Sequence, residues 1–206
     1  MYWNEIDTSS LIFMRSKLYG VSNSNHGTEI KTLQVHSEYD KFLFSYTGEY
    51  LTQFDRECSI IFKKMAINYK TKENTFEFSM LDFLRCTGNK KYGSNDKRLI
   101  YKSLMKNYNT IYSIEQENGS FEGRSINSFF YSFDKNKFIA ELNPNWVDYF
   151  NGGRVCKYNY RYRLLLPHGF TRWLHSYWST FDVIPNMNIL ELQLISGANY
   201  IMHPVI

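Results

Sequence analysis

Hydrophobic positions change period several times along this chain, and each change marks an element. Phe54, Cys58, Ile61, Phe62, Met65, Ala66 and Tyr69 fall at i, i+4, i+7, i+8, i+11, i+12 and i+15. That is one apolar stripe at the 3.6-residue period, and it predicts an amphipathic helix over 52–69. Thr52 with Asp55 three residues on predicts a capping box at its start. Lys63 and Lys64 fall off the stripe, on the solvated side. TFEF (75–78) predicts a short strand. Ser79 with Asp82 then opens a second helix, with Leu81 and Leu84 pointing inward and Thr87-Gly88 as its stop. A third helix begins near Ser94 or Asn95, both good caps. Ile100, Leu104 and Tyr108 form its apolar face, while Arg98, Lys102 and Lys106 repeat at the same spacing on another.

Period two takes over after Thr110. IYSIEQENGSFEGRSINSFFYSF (111–133) predicts a β-hairpin turning near Asn118-Gly119. KFIAEL (137–142) predicts a further strand, and NWVDYF (145–150) a short helix ending at Gly152-Gly153. A short helix, a tight turn, a longer basic helix and then a hairpin is the order of a winged helix-turn-helix. Upstream, VSNSNHGTE (21–29) reads as a polar loop, and Leu33, Val35, Phe42 and Phe44 suggest short strands around SEYDK. Downstream, YNYRYR (158–163) alternates as a strand would, arginines on one face and tyrosines on the other. Phe170, Trp173, Leu174, Tyr177, Trp178 and Phe181 make another helical stripe. Asn188 with Glu191 opens a last helix, where Ile189, Leu190, Leu194 and Ile195 are expected to pack beneath and Ser196-Gly197 to end it. The order long helix, short helix, Gly-containing turn of 52–94 thus starts again at 170–197, with ANYIMHPVI where a further recognition helix would begin. The expected fold is α/β (α+β), a winged helix-turn-helix with one complete winged-helix domain plus the start of a second. The expected divisions are an N-terminal arm or extra layer (1–45), a first winged-helix domain (46–163) and a partial second one (164–206).

Composition changes this picture little. Of 206 residues, 43% are hydrophobic and 18% aromatic, which argues for a packed core and against disorder. A net charge of +4 is mild, so its distribution matters more. Seven basic residues and one acid, Asp96, lie between Arg85 and Lys106; Arg154 to His175 holds five basic residues and no acid. Cys58, Cys86 and Cys156 are widely spaced, without a CxxC pair, and fit a reducing cytosol. No apolar run approaches the ~20 residues that span a bilayer, and MYWNEIDTSS lacks the regions of a signal peptide. A cytoplasmic protein with no membrane partner is expected.

Several segments resemble one family in order and spacing. YTGEYLTQFDRE (46–57) resembles the opening of the first DNA-binding domain of TrfA-type plasmid replication initiators. The LxxTG turn at 84–88, the long third helix, SFFYSF (128–133) and LNPNWVDYF (142–150) fit the same family. RYRLLLPHGFTRWLHSYWSTF (161–181) and ILELQLISG (189–197) resemble the start of its second domain. The match covers about residues 46–200 and rests on no single motif. It implies winged-helix domains that bind repeated origin sequences (iterons) on double-stranded DNA, promote origin opening and recruit host replication proteins, helicase and sliding clamp among them. It also implies a shift between homodimer and DNA-binding monomer. Two departures stand out: the second recognition helix is missing or cut short, and there is no clear QLxLF-like clamp-binding peptide.

In a winged helix the third helix enters the major groove with its N-terminal residues toward the bases. Ser94, Asn95, Lys97 and Arg98 are the candidates there, Arg suiting guanine and Asn adenine. Lys90, Lys91, Lys102 and Lys106 are candidates for phosphate contacts, which position without reading sequence. On the hairpin Arg124 would attract phosphate, while Glu115, Glu117 and Glu122 would repel it. Arg154, Lys157, Arg161, Arg163 and Arg172 could line a second strip, and the Tyr/Arg interleaving around Arg161 and Arg163 makes single-stranded DNA a further candidate partner. Each basic residue has a plainer reading as a solvated face. Catalysis is not expected: the five histidines form no HxH pair, no GxxxxGK[ST] loop occurs and no Cys/His spacing suits zinc, so neither metal nor cofactor is expected. Cys86 lies among basic residues that would lower its pKa, though a structural thiol is the plainer reading. Two other functions stay open: a winged-helix transcriptional repressor, and a protein-interaction module that kept the fold and lost DNA binding.

Overall fold

Asp55 fixes the start of the first long helix. Its carboxylate accepts from the Thr52 N–H (2.7 Å) and hydroxyl (2.9 Å), and its own N–H donates to Thr52 Oγ (3.4 Å). This is the expected box, and it satisfies donors that a helix end leaves unpaired. The computed structural model describes residues 6–10, 13–14, 18–21, 29–36, 41–69, 75–87, 93–116, 119–132, 134–135, 137–152, 155–167 and 169–198. In chain order the elements are β1 (Ile6–Ser10), β2 (Tyr19–Gly20), β3 (Glu29–His36), β4 (Lys41–Gly48), β5 (Leu51–Thr52), α1 (Gln53–Tyr69), β6 (Thr75–Phe78), α2 (Met80–Cys86) and α3 (Ser94–Asn109). They continue with β7 (Ile111–Gln116), β8 (Gly119–Gly123), β9 (Ile126–Ser132), β10 (Lys137–Leu142), α4 (Pro144–Gly152), β11 (Val155–Asn159), α5 (Tyr160–Leu165), α6 (Phe170–Trp178) and α7 (Ile189–Ser196).

Two aromatic cores sort the strands. Phe62, Phe76, Phe78, Phe83 and Phe138 are buried with Met65, Ile100 and Leu104, between α1, α2 and α3 and a three-stranded antiparallel sheet ordered β6-β10-β9. Phe44, Tyr46, Leu51, Tyr112, Ile114 and Phe121 form a second core on a four-stranded sheet ordered β3-β4-β7-β8. Residues 29–48 therefore supply two strands of that sheet, and Ile6–Ser10 pairs along β11. This sorting corrects the expected hairpin. SFFYSF does not continue the 111–123 hairpin; the chain turns at Arg124-Ser125, and Ile126–Ser132 pairs with Lys137–Leu142. Cross-strand packing gives the reason: Phe129 stacks on Phe138 at 5.3 Å in the first core, whereas Tyr112 and Phe121 pack on Trp146 in the second.

Three helix faces also differ from expectation. In α2 the larger Phe83 turns inward against Phe78 together with Leu84, leaving Leu81 45% exposed. In α3 the cap is Gly93, whose N–H donates to the Asp96 carboxylate (2.7 Å), so Ser94 and Asn95 become exposed first-turn residues. Lys64 lies over the Tyr160 ring, 3.8 Å from its centre, rather than in water. At the other end, α7 has the expected Asn188–Glu191 box, and Gly197 ends it in the left-handed conformation (φ 68°) that glycine adopts without strain. Ile189, Leu190 and Leu194 do not pack beneath; they are 54%, 69% and 68% exposed. The helix ILELQLIS is apolar nearly all round, so its pattern selects no face. The expected repeat of 52–94 is not reproduced as drawn: α6 has nine residues, not a long helix's length. A third helix after Gly197 falls almost wholly outside the described residues.

Candidate nucleic-acid interface

The first turns of α3 project from the body of the protein. Ser94, Asn95, Lys97, Arg98 and Lys102 are exposed, while Ile100, Ser103, Leu104 and Asn107 are buried beneath them. Asn107 anchors this side of the helix: its amide donates to Asp55 O (3.2 Å) and Ser103 O (3.0 Å), and its carbonyl accepts from Tyr19 Oη (3.3 Å). Arg98 Nη2 donates to Asn95 Oδ1 (3.1 Å), which joins the two candidate base readers. Lys90 and Lys91 lie outside the described residues.

Two of the expected phosphate contacts are spent elsewhere. Lys106 is largely enclosed, 3.6 Å from the Asp55 carboxylate and donating to Tyr50 O (3.2 Å). It therefore ties α3 to the start of α1 and leaves the Arg98–Lys102 face. Arg163 is the larger correction. The predicted alternating strand ends at Asn159, whose side chain accepts from the Tyr162 N–H (2.8 Å) and caps α5. In a helix Tyr160 and Arg163, three apart, turn to one side, so Arg163 goes inside while Arg161 stays exposed. Arg163 is 0% exposed and donates to Glu57 Oε1 (3.1 Å), Gln53 Oε1 (3.0 Å) and Ser176 Oγ (3.0 Å). Arg172 is buried on the same carboxylate and also donates to Leu164 O (3.0 Å) and Leu166 O (2.8 Å). The arginine strip therefore splits: Lys157 and Arg161 face solvent, Arg163 and Arg172 hold α5 and α6 to α1, and Arg154 lies outside the described residues. Two guanidiniums on one carboxylate leave a positive charge in excess, which the neutral oxygens of Gln53, Ser176, Leu164 and Leu166 help to solvate.

Arg124 is exposed at the β8–β9 turn, its guanidinium 5.4 Å over the Tyr108 ring at the C-terminal end of α3. The hairpin beside the N-terminal half of α3 is instead β9–β10. Tyr101 packs on Phe138 at 6.2 Å, next to the turn that carries Asp134 and Lys135. The reading of the sequence passed over Lys135 and Lys137; the DKNK stretch between SFFYSF and KFIAEL was their signal, outweighed by Asn118-Gly119. Elsewhere burial, with Asp82 nearby, pushes the Cys86 thiol up to about 12, against the expected lowering. Burial lowers Arg56 to about 10. The described residues hold no group of His, Cys, Asp or Glu that could bind a metal ion, and no helix among them is long and apolar enough to cross a membrane.

An exposed basic helix end, packed beside a hairpin, sits on an α–β–α–α–β–β core. Domains 2 and 3 of RctB share this fold. One crystal structure of them superposes with a TM-score of 0.59 over 92% of this chain and 77% of its own, at 16% identity. A second gives 0.58 over 90% and 75%, at 14% identity. No family model and no curated protein matches the chain. RctB is a replication initiator; the likeness bears out the mixed α/β class expected for the chain and does not single out the TrfA type. The likeness spans 92% of the chain and so is not confined to the helices around α3.

Proposed function

We propose that this chain is a DNA-replication initiator, in which α1, β6, α2, α3, β9 and β10 form a winged helix on duplex DNA. The observation that carries this is the exposed N-terminal half of α3, with Asn95, Arg98 and Lys102 on one face and Lys97 exposed beside it, in an RctB-like fold. In this reading Arg98 and Asn95 read base edges in the major groove, and Lys97 and Lys102 meet phosphates. Arg124 and Arg161 extend the contact at its margins. The ligand is repeated origin sequence, and opening comes from binding and bending without catalysis by this chain. Host helicase, the sliding clamp and a second copy of the chain are its proposed partners, in the cytoplasm.

The test is fluorescence anisotropy on duplex from the origin of the replicon that encodes the chain, against scrambled duplex, over a salt series. Selective binding that weakens steeply with salt is expected. Equal, weak, salt-insensitive binding to both would favour an interaction module that has lost DNA. Permanganate reactivity in a neighbouring A+T-rich tract separates an initiator from a repressor, which binds without melting.

A further inference from the structure

Glu77 lies on the outer face of the three-stranded sheet, opposite Ile139 in register, while Phe76 and Phe78 on either side of it point into the core. Its carboxylate receives both lysines of the β9–β10 hairpin end: Lys135 Nζ at 3.3 Å from Oε1 and Lys137 Nζ at 3.6 Å from Oε2. Asp134 is exposed in the same turn. Two lysines against Glu77 and Asp134 leave the tip with no net charge. The arrangement also has a direction. Tyr101 of α3 packs on the inner face through Phe138, whereas Glu77 draws both ammonium groups to the outer face. The groups are 36–59% exposed, so the ion pairs are weak, and each lysine re-aims on a flexible stem at small cost.

Building on the duplex-binding reading, we propose that Glu77 sets the sequence selectivity of this protein. It cancels and holds back Lys135 and Lys137, so the wing adds phosphate contacts only where a good fit at α3 brings the backbone close enough to displace the carboxylate. Non-specific duplex, held at longer range, meets a neutral wing. Glu77 is thus a positioning residue acting through two lysines.

The experiment compares the whole chain with E77Q, K135A/K137A and the triple variant by anisotropy. The probes are a duplex selected by the wild-type chain from a random-sequence pool and a scrambled duplex of the same composition, each at 50–200 mM salt. E77Q should bind the scrambled duplex more tightly. One more net charge makes log K against log salt steeper by about 0.9, so its advantage shrinks about 3.5-fold across that range. The ratio of selected to scrambled affinity should fall, and K135A/K137A should erase the gain. Circular dichroism melts confirm that each variant is folded. If E77Q matches the wild type on both duplexes at every salt while Lys102→Ala flattens the slope, Glu77 has no such role and the duplex-binding reading stands. If the wild-type chain binds no duplex, both fall together.

Discussion

Three basic residues that look alike in the sequence have separate fates, and substitution should separate them. Arg98→Ala removes an exposed donor pair. It should cut discrimination between selected and scrambled duplex by about 1–3 kcal/mol, read as a ratio of affinities. Lys102→Ala should weaken both duplexes alike and flatten the salt slope by about one unit. Arg163→Ala should act on stability. Arg163 is 0% exposed and donates to Glu57, Gln53 and Ser176, and Arg172 stays on Glu57 when it is removed; the cavity and the acceptors left without a donor should cost about 2–5 kcal/mol in urea unfolding. A fully stable Arg163→Ala that loses DNA affinity would return Arg163 to the interface. Spacing cannot distinguish these residues, because each is a cation two to four positions from another. What separates them is which face of its helix meets Glu57 or Asp55.

At the scale of elements, capping and periodicity carried over well. The boxes at Thr52, Ser79 and Asn188 form where short polar side chains precede an acid by three residues. Local hydrogen bonds of this kind depend on nothing distant, so they are legible from sequence. Strand partnership is not local, and there the reading failed: 111–123 and 126–132 join different sheets. Helix faces behave alike. Leu104 is 0% exposed and Leu194 is 68% exposed, though both sit in apolar helical runs. Leu104→Ala should therefore cost about 2–5 kcal/mol. Leu194→Ala should stay within about 0.5 kcal/mol, as surface changes do. Similar losses at both sites would mean that α7 buries Leu194 after all.

At the scale of the molecule, the Glu57 cluster ties α5 and α6 to α1. Arg163 and Arg172 come from α5 and α6, Gln53 and Glu57 from α1, and β11 pairs with β1 near the N-terminus. Urea unfolding should follow one transition, the same by tryptophan fluorescence (Trp173 and Trp178 of the four tryptophans lie in α6, Trp146 in α4) and by far-ultraviolet circular dichroism. Two separated transitions would show that the two sides of this cluster unfold apart. The joint is also pH-sensitive. Burial, and then Arg163 and Arg56, hold His175 below its usual 6.5, so the folded state prefers the neutral ring. As pH falls through 6.5 the unfolded chain takes up this proton first, so the contribution is lost on acidification and regained on returning to neutral. The stability of His175→Gln should decline less than that of the wild type between pH 7.5 and 5.5.

The sequence by itself determined the boxes at Thr52, Ser79 and Asn188, most of the strands, and that a basic helix follows a short one, because caps and periods are short-range physics; the alternation at 158–163 misled, since Tyr160–Leu165 is helix. It was enough to point to the replication-initiator class through the order of its segments. Only the tertiary structure decided which strands share a sheet, that Arg163 and Lys106 belong to buried ion pairs, and that the hairpin end beside α3 carries Lys135 and Lys137 against Glu77. Those outcomes depend on side chains as far apart in the chain as Glu57 and Arg163. Their meeting is set by how two aromatic cores pack, and no window of sequence contains that.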